Sequence, residues 1–423
     1  MSEPNYRRIL SILLLALLFC FSFINVMFSA PEIYAGVTEL LEEEKEPEHY
    51  NEYTAGVDQL IATNLLGGHS WNEIYGTAYA MLGKNEENNF SYVRDKEGVL
   101  YYANFWNVAD TPMKDLAKRV RSMQEDLVER HTRVVMLLYP SKSDPSWLSP
   151  YYGIPYQDYD AQAEEFLRYL RRYGIDYLDY REAFRNSGKT AEEMFFYSDH
   201  HWRVETGFEV TRLLVEHIRD TYGEDWDPEN YYCNLDNYYT ETYGKYFMGS
   251  QGRETGEVYS TPDDYTLLLP RFDVDVHWEF ELPWGGTGSS KGNLRDALIR
   301  RSYTDDESMY DRDMNNAYLS GIYLSDHIEN RSMVDGPKVL FLRNSYSSTP
   351  AVFLIPMVKD IRMIWNLNTP EDKAMNTIRG DHYDYVFVAL TVDNLRDEEL
   401  SFYKEGIPGK KTKAEENASQ EAE

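Results

Sequence analysis

The chain has 423 residues, 42% of them hydrophobic, and a formal net charge of −30. That length allows one large domain or two to three small ones. The charge excludes a phosphate-binding face, so nucleic acid is not an expected partner. The two cysteines, Cys20 and Cys233, make neither a disulfide framework nor a CxxC metal pair. The 36 tyrosines fit either half-buried, wet surfaces that hold sugars or ordinary core filling.

In chain order, Arg7 and Arg8 precede an uncharged apolar run over 9–28. About 20 such residues span a bilayer. Cleavage after Ala30 would leave Phe28 at −3 and Pro31 just past the cut. The reading is an uncleaved signal anchor over residues 1–30, N-terminus cytoplasmic and the rest extracytoplasmic. A glutamate-dense stem follows over 31–57. A polar tail over 406–423 has the composition of a disordered segment.

Between them, strands and helices alternate. Leu116, Val120, Met123 and Leu127 share one helical face. "RVVMLLYP" reads as a buried strand stopped by Pro140. "DAQAEEFLRYLRRYG" reads as a helix capped by Gly174. A strand in "IDYLDYREAF" and a helix in "TGFEVTRLLVEHIRDTYG" come next. Near the C-terminus "PKVLFLRNSYSSTPAVFLIPMVKD" reads as strand, turn and helix, and "IRMIWNL" and "YDYVFVAL" as two more strands. This pattern predicts an α/β fold, a parallel sheet flanked by helices, over 58–405. A Tyr-rich stretch, about 220–336, breaks the rhythm and reads as an insertion on a sheet edge.

Active sites of open α/β sheets lie at the carboxyl ends of the strands. Two segments fall there: "SDHHW", 198–202, and Ser345 in "VLFLRNSYSS". A serine at a strand-to-helix turn sits near amides that can stabilise an oxyanion. It needs a base, and an imidazole oriented by a carboxylate supplies one. In an extended loop Asp199 and His201 point to one side. They are then the acid and base of a Ser345–His201–Asp199 triad, with His200 turned away and Trp202 walling the site. Helix capping by Ser198 or Asp199 and a metal site using Asp199 with His200 or His201 are the other readings of the pair. No third ligand cluster stands out, so no metal or other cofactor is expected.

"SDHHW" followed by "RVETGFEV" resembles the signature of the DHHW proteins of bacterial cell envelopes. These are similar to alginate O-acetyltransferase components of the AlgJ/AlgX type, which group with the SGNH/GDSL-like hydrolases. The resemblance covers about 89–390. It implies an SGNH-like fold with Asp199 and His201 in the family's Asp and His positions and Ser345 as nucleophile. The family's turn is Gly-Asp-Ser, Gly-Thr-Ser or Lys-Asp-Ser-Tyr. Here it is Arg343-Asn344-Ser345-Tyr346, so Asn344 and Arg343 become candidate oxyanion or substrate groups together with Tyr346, Trp202 and, in "FMGSQGRETG", Gly249. The implied function is a membrane-anchored O-acetyltransferase or acetylesterase acting on a cell-surface polysaccharide, with a membrane-bound acyltransferase of the MBOAT type as partner. The competing function is a non-catalytic glycan-binding or scaffold protein.

Overall fold

The structure is a computed structural model describing residues 3–43, 57, 67–104, 111–283, 285–304, 309–310, 314–321, 323–367 and 369–408. It forms two compact units, 1–78 and 79–423. In the first, one helix, α1, runs Glu3–Glu43. Its stretch Tyr6–Thr38 is long and apolar enough to cross a membrane, and most of its large apolar side chains, Leu13, Leu17 and Phe19 among them, are exposed. The helix continues through the first half of the predicted stem. The rest of the stem and the tail beyond 408 lie outside the described residues, apart from Val57. A second helix, α2, spans Gly68–Met81.

The second unit opens with a small antiparallel sheet of β1 (Glu86–Glu87), β2 (Tyr92–Arg94) and β3 (Leu100–Tyr101). The predicted strands follow: β4 (Arg133–Tyr139) and β5 (Asp176–Asp179). The Tyr-rich stretch supplies β6 (Tyr238–Phe247), β7 (Asp263–Pro270), β8 (Asp275–Glu281), β9 (Thr287–Asn293) and β10 (Ser325–Asn330). Last come β11 (Lys338–Arg343), β12 (Asp360–Trp365) and β13 (Tyr385–Thr391). The main sheet has the order β5-β4-β13-β11-β12-β10-β8-β9. Its first five strands are parallel, as expected. The Tyr-rich stretch extends it with three antiparallel strands, so the sheet is mixed, while β6 and β7 pair separately.

The apolar runs in β4, β11 and β13 follow from burial on both faces. Val135, Leu137, Phe341 and Phe387 point into one core, and Val134, Met136, Leu342 and Val388 into the other. The second core is closed by helices α3 (Met113–Leu127) and α4 (Asp160–Tyr173). The first is closed by α5 (Val204–Tyr222) and by α7 (Ser348–Leu354). The short α6 (Ser250–Thr255) lies between them in sequence. Gly174 ends α4 at φ 67°, the left-handed conformation expected of a C-cap glycine. The "SDHHW" segment was expected to follow a strand. It follows a one-turn helix, Ala191–Met194, because a capping box at Thr190 and Glu193 starts a helix there.

Candidate active site

The acid–base segment is a closed loop. Phe195 and Trp202 face each other in an isolated antiparallel bridge. The Phe196 amide donates to the His201 carbonyl at 3.2 Å and the Arg203 amide to the Met194 carbonyl at 2.8 Å. Inside the loop the Asp199 carboxylate accepts the His201 amide at 2.9 Å, an Asx turn. The same oxygen lies 2.7 Å from His201 Nδ1. The pairing therefore arises from a side-chain turn and not from the extended backbone anticipated.

The other ring nitrogen of His201, Nε2, lies 2.8 Å from Ser345 Oγ. Ser345 follows β11 by two residues, in the crevice at the carboxyl edge of the parallel strands. Asn344 caps the turn, its side chain accepting the Tyr346 amide at 3.2 Å. The Ser345 amide donates to no group among the described residues, which leaves it available to an oxyanion.

Asp199 is 1% exposed. Burial opposes its charge, but His200, His201 and the hydrogen bonds from His201 outweigh burial and hold the carboxyl well below the usual carboxylate range. Its second oxygen accepts the Ser250 amide at 2.8 Å and the Ser250 hydroxyl at 3.1 Å. Neither residue type nor spacing in the sequence singles out Ser250, Asp263 or Lys142, yet all three hold the loop. Asp263 accepts the Tyr197 amide at 2.7 Å and the Ser198 amide and hydroxyl at 2.8 and 2.7 Å. Buried Lys142 donates to the carbonyls of Tyr197 and Asp199 at 3.0 and 2.7 Å. Burial lowers its pKa to about 7.

The remaining predicted residues fall into different places. His200 is not turned away: its ring centroid is 4.0 Å from that of His201, and its Nδ1 is 3.3 Å from Ser250 Oγ. Burial first and His201 second push its pKa down, so His200 is neutral. Trp202 packs behind the site, 4.9 Å from the rings of both Tyr139 and Tyr346. The Tyr346 hydroxyl donates to the His200 carbonyl.

Arg343 does not face the site. Its side chain is 0% exposed and pairs with equally buried Asp326 at 2.7 Å, because on β11 it continues the face of Val339 and Phe341, which points into the first core. Asn344 directs its amide nitrogen to Thr391 and Asn394 at 3.2 and 2.9 Å, so it shapes the turn. The Gly249 amide donates to Ser198 Oγ at 2.9 Å and the Gly252 amide to the Ser198 carbonyl at 2.8 Å. That glycine-rich turn braces the acid loop, and the amides of Gly249, Ser250 and Gly252 are all engaged in doing so.

Asp199, His200 and His201 form a group whose potential ligand atoms lie within 4.8 Å of one another. Both nitrogens of His201 and both oxygens of Asp199 are engaged by protein groups in the arrangement above. A cation there would have to displace the contacts to Ser345 or Ser250.

A hydrogen-bonded chain of serine, imidazole and carboxylate stands at the carboxyl edge of the parallel strands, the arrangement of a serine acyl-transfer site. Residues 96–248 match the family described as SGNH hydrolase-like domain, acetyltransferase AlgX. No curated protein sequence matches the chain. Among solved structures, PatB1 of Bacillus cereus is similar with a TM-score of 0.57 and 17% identity, over 73% of this chain and 98% of that one. PatB1 with a sulfonyl adduct gives 0.58 and 17%, over 74% and 99%. A DHHW family protein from Eubacterium siraeum gives 0.50 and 14%, over 71% and 90%. The resemblance read from Ser198–Trp202 thus holds at the level of domain and fold.

Proposed function

We propose that the protein is an extracytoplasmic O-acetyltransferase of a cell-surface polysaccharide, held to the membrane by α1, with Ser345 as nucleophile. The observation that carries this reading is the unbroken chain from Ser345 Oγ through His201 to Asp199, with contacts of 2.8 and 2.7 Å. His201 Nε2 removes the hydroxyl proton as Ser345 Oγ attacks the acyl carbonyl of the donor. Asp199 holds the imidazole tautomer with its proton on Nδ1 and stabilises the imidazolium. The Ser345 amide faces the developing oxyanion. Collapse breaks the bond from the acyl carbon to the leaving group, which takes the proton from His201, and leaves acetyl-Ser345. A sugar hydroxyl, deprotonated by His201, then attacks that ester and frees Ser345. Water in place of the sugar makes the same residues an acetylesterase. The matched family's description, an acetyltransferase, supports acyl transfer. An MBOAT-type membrane acyltransferase would supply the donor on the far side of the membrane.

The test is p-nitrophenyl acetate turnover by the full chain in detergent beside Ser345→Ala. Release that vanishes in the variant, with a serine-linked acetyl group found by peptide mass, supports the reading. Release equal in both proteins, with glycan binding retained, means a binding protein instead.

A further inference from the structure

Two clefts meet at Ser345. One is lined by Phe196, Trp202, Val204, Tyr265 and Asn315, and the other by Tyr102, Trp365, Asn394, Arg396 and Glu399. Ser345, His200 and Tyr346 line both. The bond from the Tyr346 hydroxyl to the His200 carbonyl ties the partition between them.

The two walls differ in chemistry. Four buried aromatic or aliphatic side chains back the first, Phe196, Trp202, Val204 and Tyr265, all at most 3% exposed, and Arg253, Asn315, Asn316, Ser348 and Thr349 line it beside them. Its apolar backing suits the methyl of a small acyl group, and its polar side chains can hold the carrier. The second lies beyond the ends of β12 and β13 and combines aromatic faces with a mixed set of donors and acceptors. Arg396 Nη2 lies 3.5 Å from Glu399 Oε1 and Asn394 donates to that oxygen at 3.1 Å, but several buried polar atoms of the cleft have no partner among the described residues: Glu399 Oε2, Arg396 Nε, Gln251 Nε2 and the Tyr101 hydroxyl. Glu399 is 2% exposed and Gln251 0%, and such groups are costly when unmatched. Burial raises the Glu399 carboxyl to about 7, so near neutrality it both accepts and donates. Sugar hydroxyls also do both, and the faces of Trp365 and Tyr102 suit the apolar side of a pyranose ring. The net charge of −30 repels polyanionic glycans at long range.

We propose that the Trp365–Glu399 cleft is the acceptor subsite for an uncharged sugar, and that the Phe196–Trp202 cleft admits the acyl donor from the opposite side of Ser345. The assignment rests on the acyl-serine reading above. After the first half-reaction the acetyl group on Ser345 lies at the junction. The acceptor hydroxyl reaches it from the second cleft without crossing the donor's path.

The experiment uses the full chain in detergent with p-nitrophenyl acetate as donor and chitotetraose, cellotetraose or tetragalacturonate as acceptor. Acetylated tetrasaccharide and free acetate are measured in the same reaction. Binding of each tetrasaccharide to Ser345→Ala and Ser345→Ala/Trp365→Ala is followed by calorimetry. A neutral tetrasaccharide should be acetylated. Trp365→Ala and Glu399→Gln should each lower the ratio of transfer to hydrolysis at least about tenfold, roughly one lost sugar contact. Asn315→Ala should raise KM for the donor and leave that ratio unchanged. Val334→Ala, at a site 97% exposed, is the control. An unchanged ratio in Trp365→Ala overturns the cleft assignment while the acyl-serine reading stands. Absence of Ser345-dependent turnover overturns that reading. Calorimetry then decides the cleft alone: neutral-sugar binding that needs Trp365 upholds it, and binding independent of Trp365 refutes it. Binding only of tetragalacturonate, or of no tetrasaccharide, refutes the neutral class.

Discussion

Gly249→Ala is a steric probe of the triad that leaves every proposed reacting group in place. Gly249 has φ −73° and ψ −179°, so alanine meets no backbone penalty there. Its new Cβ, however, would lie 2.2 Å from Asp199 Cβ, 2.6 Å from Asp199 Oδ2 and 2.8 Å from Asp199 Cα. Carbon atoms settle about 3.5–4.0 Å apart, so the two segments must part by about 1.3 Å. Neither gives easily. The Gly249 amide is held by Ser198 Oγ at 2.9 Å, and Asp199 is held from below by Ser250 at 2.8 Å. The displacement falls on the 2.7 Å contact to His201. A misplacement of about 1 Å lowers turnover on the order of 100-fold, or about 2.7 kcal/mol of barrier, and overpacking costs about 1–3 kcal/mol of stability. Gly380→Ala, where a methyl group meets nothing within 4 Å, is the control and keeps wild-type turnover. The assay is kcat/KM on p-nitrophenyl acetate with thermal unfolding in parallel. A folded Gly249→Ala protein within about threefold of wild type would refute the argument that Asp199 must stand where it does, since the stated loss is on the order of 100-fold.

His201→Ala should remove most turnover, as Ser345→Ala does, because triad members act as a unit. His200→Ala should cost less, since His200 touches Ser250 and the His201 ring but not Ser345. Arg343→Met should destabilise the protein by about 3–5 kcal/mol by stranding Asp326, and Arg343→Met/Asp326→Leu should recover most of that in urea unfolding. Recovery of neither stability nor turnover in the double variant would return Arg343 to the site. The Lys142 ammonium titrates near 7 when folded and near 10.4 when unfolded, so between those values the unfolded chain binds more protons. Wild-type stability gains about 1.4 kcal/mol per pH unit from this group as pH rises through that window. Lys142→Met should lack the gain, so unfolding free energies of the two proteins should diverge with pH, and parallel profiles from pH 7 to 9 would show that burial does not lower the Lys142 pKa.

The central strands were legible because β4, β11 and β13 are short apolar runs, the first of them closed by Pro140. Two-sided burial makes such runs unambiguous. Asp199 and His201 stand one residue apart, so their meeting was open to local reasoning, although an Asx turn makes it in place of the extended backbone expected. Ser345 was legible from its place after an apolar strand, although 144 residues separate it from His201. What the sequence hides are the contacts that tertiary structure makes between ordinary residues: Ser250 below Asp199, Asp263 beneath Ser198, and Lys142 across the loop. None carries a pattern, because a serine that donates to a distant loop, or an aspartate that accepts its amides, looks like any surface residue. Arg343 misleads for the opposite reason. Its neighbour Ser345 suggests function, while the period of the strand turns it into the sheet.

The tyrosine excess resolves mainly toward packing. Tyr139, Tyr180, Tyr318 and Tyr385 are almost fully buried, and their hydroxyls find protein partners, such as the Val210 carbonyl for Tyr180 and Ser347 Oγ for Tyr139. A phenylalanine would fill the same volume and leave those polar groups unmatched. Tyr346 shows how that habit serves the site. It is buried against Trp202 and stacks near His201, and its hydroxyl fixes the backbone of His200. Packing and positioning are there the same contact: removing the ring opens a gap behind His201, and removing only the hydroxyl frees the carbonyl that separates the two clefts. Tyr346→Phe therefore isolates the second effect. It should preserve the fold while altering the ratio of transfer to hydrolysis, because the partition between donor and acceptor sides depends on that one hydrogen bond.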